Sequence, residues 1–180
     1  MKIFLTLTCA GIGLIGMAHA QQSPSAPISD QEYIKRATSA APAEVSDSAT
    51  IVRVKNGVME TLKKGSNEWT CMEADGGAMC MDPNAMEWAH AWQSHGPATS
   101  KTGFMYMLRG DNGASNTDPY ATRQTADNHW VQTGPHVMIV GAAAKTMTGY
   151  AKSPDADPTK PYVMWAGTPY EHLMIPVPIK

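Results

Sequence analysis

An α+β domain, with a mostly antiparallel sheet packed by one principal helix, is predicted by three features of this sequence. Short apolar runs rich in β-formers recur between Gly, Pro and Asn punctuation. An Asn-Gly pair separates two such runs as a hairpin turn would. One central segment, opened by Asp82-Pro83 and closed by Gly96-Pro97, carries both boundary signals of a helix. The 180 residues suit one domain, predicted over 30–180.

Residues 1–20 read as a signal peptide. Met1-Lys2 supplies positive charge, IFLTLTCAGIGLIGM is apolar, and Ala18-His19-Ala20 offers the small residues that a signal peptidase selects before Gln21. The run is too short, and too rich in Gly and Thr, for a membrane span. Cys9 follows Leu7-Thr8 and lacks a lipobox ending. A periplasmic or secreted location is therefore expected, with no membrane span after cleavage. Residues 21–29, rich in Ser, Pro and Gln, read as a flexible lead-in.

A short helix follows, with Ser29 as cap, Glu32 three residues on, and Tyr33, Ile34 and Ala37 on one side, ending by Pro42. Residues 49–54 alternate as a strand, Asn56-Gly57 turns, and residues 58–64 return. Gly65-Ser66-Asn67 turns again into a third strand around Trp69 and Cys71, predicting an antiparallel meander. In an exported chain Cys71 and Cys80 are expected to form a disulfide. Gly76-Gly77 lets the enclosed loop fold back, and closing it is worth about 2–3 kcal/mol.

Within the central helix Ala85, Trp88, Ala89 and Trp92 share a face, which predicts packing on the sheet. Residues 103–110 alternate as a strand ending in a turn. Residues 114–130 are polar and predict a surface excursion. Strands are predicted at 136–141, 162–167 and 171–177. No internal repeat is evident.

The strings GASNTDPYAT, DNHWVQTGPHVMIVG and PYVMWAGTPYEHLMIPV resemble a family of small secreted bacterial proteins of uncharacterised function, over most of the chain from the hairpin onward. The resemblance implies export. It carries no activity and no site residue.

A net charge of −2 gives no basic excess for a nucleic-acid partner. Methionine is the compositional outlier: eleven of the 13 remain after residue 20, against three leucines, Leu62, Leu108 and Leu173. Thioethers are soft ligands that neither ionise nor form disulfides, so copper is a possible cofactor, with Met79, Met81 and His90 as candidate ligands. The simpler account is that methionine fills the core in place of leucine.

Of the five histidines beyond residue 20, His136 stands where a loop enters a strand. With His129 and Trp130 it makes a candidate ligand site. With Ser115 and Asp118 it could assemble a hydrolase triad, although the G-x-S-x-G elbow is missing. Its simpler role is to cap its own turn. Zinc-finger spacing, H-E-x-x-H, an EF-hand loop and nucleotide-binding glycine motifs are absent from the sequence. The leading expectation is an exported protein that binds a small ligand or soft metal without catalysis. A periplasmic hydrolase using His136 and an envelope interaction module are the alternatives.

Overall fold

The structure, a computed structural model, describes residues 28–178, so the expected signal peptide and the lead-in as far as residue 27 lie outside it. Helix α1 (Asp30–Thr38) starts where Ser29 accepts a hydrogen bond from Glu32 N, as the capping pattern predicts. It stops short of Pro42, which instead opens the single turn α2 (Ala43–Ser46). Strands β1 (Thr50–Lys55) and β2 (Val58–Lys63) form the predicted hairpin. Asn56 (φ 53°) and Gly57 (φ 76°) both take the left-handed conformation that a type I′ turn requires.

The predicted meander ends there. Strand β3 (Thr70–Ala74) pairs with β1 in parallel, on the side away from β2. The reason lies in the 64–69 segment. Ser66 N and Asn67 N both donate to Ser48 O, and Asn67 Nδ2 donates to Val45 O. These bonds carry the chain across the start of β1. Only glycine fits at position 65, where a Cβ would lie 2.3 Å from the Ala49 carbonyl carbon.

The loop between the cysteines is itself a hairpin. Strand β4 (Gly77–Met81) pairs antiparallel with β3, and Cys71 and Cys80 are direct cross-strand partners joined by a disulfide. Helix α3 (Pro83–Gln93) follows, with Asp82 as its cap. One carboxylate serves two elements here: Oδ1 accepts from Ala85 N at 2.7 Å, and Oδ2 accepts from Phe104 N at 3.1 Å on the next strand, β5 (Thr102–Met107). The helix ends in a Schellman arrangement, Gly96 N to Ala91 O and His95 N to Trp92 O, with His95 at φ 54° where glycine is usual.

The polar excursion contains a small ribbon, β6 (Ala114–Ser115) and β7 (Trp130–Val131). Strand β8 (His136–Gly141) has the predicted bounds and leads into the short helix α4 (Ala142–Thr146). Strands β9 (Tyr162–Met164) and β10 (His172–Pro176) complete a single α+β domain. Its eight-stranded sheet has the order β2-β1-β3-β4-β5-β8-β10-β9 and is antiparallel except for β1–β3.

Two helices, rather than one, cover the sheet. Successive side chains on a strand point to opposite faces. On one face Ile51, Cys71, Ala78 and Cys80 pack under Tyr33 and Ala37 of α1. On the other Met81, Met105, Met138 and Val140 pack under Ala85 and Trp88 of α3. The Tyr33 hydroxyl fixes the first layer by donating to Glu73 O at 2.8 Å.

Candidate functional site: a methionine-lined cavity

Between α3 and the sheet lies a cavity of about 380 Å³. Ten of the eleven methionines beyond residue 20 line it, all but Met147. The strand registers explain this convergence. Met81 pairs with Met105, Met105 with Met138, and Met138 with Met174, a continuous row across β4, β5, β8 and β10. A neighbouring row holds Met72 paired with Met79, and Met107 paired with His136. Direct cross-strand partners have Cβ atoms about 4.5–5.5 Å apart, within reach of flexible thioethers. The hydrophobic cluster under α1 contains no methionine.

Three indoles close the helix side. Trp88 stacks on Trp92 at 6.2 Å and on Trp165 at 6.0 Å between ring centroids. Trp165, at the left-handed φ of 56°, is pinned by its Nε1 donating to Ser115 O. Trp92 Nε1 donates to Pro119 O. The ring of His172 meets the edges of Trp88 and Trp165, at 5.2 and 4.8 Å.

His136 and His172 are both fully buried cavity residues. His136 Nδ1 lies 2.7 Å from Gly134 O, and His172 Nδ1 lies 3.0 Å from Tyr170 O. A carbonyl only accepts, so each Nδ1 carries the proton and each Nε2 keeps its lone pair. Both Nε2 atoms are buried without a hydrogen-bond partner. A histidine whose far nitrogen is held by a carbonyl and whose Nε2 is free has the arrangement of a metal-ligating imidazole.

Burial depresses both histidines. It outweighs the Tyr170 carbonyl to push His172 down to about 4, and it lowers His136 against the opposing pull of the Gly134 carbonyl and the Asp111 carboxylate. Asp111, half-buried at the cavity wall, is raised by the same desolvation although its Oδ1 accepts from Gly113 N and Thr133 N. A histidine depressed in the folded state stays neutral while the unfolded chain protonates near pH 6.5. The stability it contributes is complete above that pH and is lost on acidification toward the folded value. The metal-free protein should therefore lose stability between pH 6.5 and 5, before most carboxylates titrate, at a slope that approaches about 1.4 kcal/mol per pH unit for His172 and with His136 acting in the same direction. Urea midpoints at pH 7, 6 and 5 measure this. A flat profile would refute the burial of neutral imidazoles.

The candidate ligands Met79, Met81 and His90 do reach one cavity: the methionines line its β4 wall, and His90 stands exposed at the α3 rim. The candidate trio His129, Trp130 and His136 is divided. His136 faces the cavity, while the His129 Nδ1 pairs with Asp155 Oδ1 at 2.8 Å on the surface. Trp130 is half-buried against Gly113, where a Cβ would lie 2.2 Å from its Nε1. The side chains of Ser115, Asp118 and His136 share no hydrogen bond with one another. The Ser115 hydroxyl donates to Asn128 O at 2.6 Å and accepts from Asp118 N at 2.8 Å, and the Asp118 carboxylate accepts from Tyr120 N.

Sequence reasoning passes over Met138, Met164, Met174 and His172. A signal was present: the string His-x-Met-Ile occurs twice, as His136-Val137-Met138-Ile139 and His172-Leu173-Met174-Ile175. Among the described residues no three His, Cys, Asp or Glu side chains gather as a metal site, so ligation in this cavity would rest on sulfur. Comparison with family models, curated proteins and solved structures yields no match to this chain, and the cavity's own chemistry carries the functional reading.

Proposed function

We propose that the protein is an exported, non-catalytic binder of a soft metal ion, Cu(I), held in the cavity between α3 and the sheet. One observation supports this above others: methionine is confined to one face of the sheet. Filling a leucine-poor core would call for methionine on both faces, since both are buried. The cluster under α1 is built from alanine, isoleucine and tyrosine around the disulfide. Thioethers combined with neutral imidazole nitrogens form a donor set suited to Cu(I), and the indole wall beside them offers no hard oxygen ligand.

Anaerobic titration of the purified protein with Cu(I), against a chromophoric Cu(I) chelator, tests the reading. The expected result is binding with a thermal shift equivalent to about 2.7 kcal/mol at a hundredfold excess over Kd. Replacing Met138 and Met174 by leucine, a nearly volume-conserving change, should weaken binding and leave the metal-free melting point within a few degrees. Absence of both binding and thermal shift would return the methionines to core packing.

Interaction with another envelope protein is a second reading, favoured by Val54, Val58 and Met59, which stand at least half exposed on the outermost hairpin. A photoreactive residue at position 58 should then give one discrete adduct in intact cells. No adduct would remove this reading.

A further inference from the structure

The two His-x-Met-Ile strings occupy adjacent strands and are related by a local pseudo-twofold axis. Strands β8 and β10 run antiparallel, and Met138 and Met174 are direct partners at the centre of their pairing. Each histidine lies two residues before its methionine, on the same face of the sheet. Each Nδ1 is held by the carbonyl two residues earlier, Gly134 O in one strand and Tyr170 O in the other. Each also has a methionine directly opposite on the outer neighbouring strand: His136 pairs with Met107 of β5, and His172 with Met164 of β9. All six side chains are buried, and both Nε2 atoms lack a partner.

The antiparallel arrangement places the two histidines on opposite sides of the central methionine pair. Four residue steps of about 3.4 Å separate them along the strands, so their Cα atoms are about 14 Å apart. That is too far for one ion to take both imidazoles as ligands with its other donors drawn from the middle. Each histidine instead has its own two thioethers, one across and one along the strand. One nitrogen and two sulfur donors, all uncharged, make a three-coordinate set fit for a soft monovalent ion.

We propose that the cavity holds two Cu(I) ions, one on His136, Met107 and Met138 and the other on His172, Met164 and Met174. This rests on the soft-metal reading above and adds stoichiometry and ligand assignment. The second subsite lies beside Trp88 and Trp165, so its filling quenches tryptophan emission more than filling of the first.

The experiment is native mass spectrometry of the full mature chain titrated anaerobically with Cu(I), with Ag(I) as a redox-inert probe. Three proteins are compared: the wild type, M107L/M138L and M164L/M174L. Leucine preserves volume, and a thermal melt of each metal-free variant confirms folding. Two ions are expected in the wild type and one in each variant, with the lost ion bound about 100-fold more weakly. Strong fluorescence quenching should persist in M107L/M138L and vanish in M164L/M174L. One ion at saturation, or two ions unaffected by either pair of substitutions, would overturn the two-site assignment while leaving soft-metal binding standing. No bound ion would overturn both.

Discussion

Replacing Gly103 by alanine should destabilise the protein by about 3 kcal/mol or more, a larger effect than its one added methyl suggests. A Cβ at this position would lie 2.2 Å from Ala85 N, 2.6 Å from Ala85 Cα and 2.7 Å from the Asn84 carbonyl carbon. These are backbone atoms of the first turn of α3. They cannot rotate aside as a side chain would, so the helix as a whole must shift. Shifting it strains the Asp82 carboxylate, which holds Ala85 N and Phe104 N together, and opens the layer containing Ala85 and Trp88. Gly76→Ala is the control, because no atom lies within 4 Å of the added Cβ. Urea denaturation of both variants measures the contrast. A Gly103→Ala protein within 1 kcal/mol of wild type would show that α3 does not sit this close to the sheet.

The second large effect is expected at Trp88, which is 2% exposed and touches Trp92, Trp165 and His172. Truncating a buried tryptophan to alanine costs about 3–5 kcal/mol, the spread reflecting how far the surroundings collapse into the space. Here the facing wall is methionine, the most adaptable of apolar side chains, so the lower end, about 3 kcal/mol, is expected. Trp88→Phe should be milder than its lost volume implies. The Trp88 Nε1 is buried without a hydrogen-bond acceptor, and phenylalanine removes that unsatisfied donor. Thermal melts of the two variants decide the matter: a Trp88→Phe loss as large as its missing volume implies would mean that the indole N–H is satisfied in solution.

Elements set by local chemistry were legible in the sequence. Asn56-Gly57 named its hairpin because few other pairs adopt two left-handed residues in succession. Asp82-Pro83 named the start of α3, and the apolar run bounded by Gly134-Pro135 and Gly141 gave β8 to the residue. What escaped was non-local. Nothing within residues 64–69 announces that their amides will seek Ser48 O and send β3 to the far side of β1. Strand β4 was hidden inside a loop that its cysteines made look like a mere closure. The excess of methionine was plain, but its segregation was not. Period-two alternation says that Met105 and Met107 share a face, yet only the packing of α3 says which face that is.

The Cys71–Cys80 hairpin also separates two sulfur chemistries by the thickness of a strand. Its thiols meet on the α1 face and are consumed in each other. The thioethers of Met72, Met79 and Met81, each one residue from a cysteine, turn to the cavity. Thiol–disulfide exchange with the surroundings therefore acts on one side of the sheet, and oxygen transfer to methionine on the other. An oxidant able to complete the hairpin's bond need not alter a single cavity donor, and a peroxide able to blunt those donors leaves the bond intact.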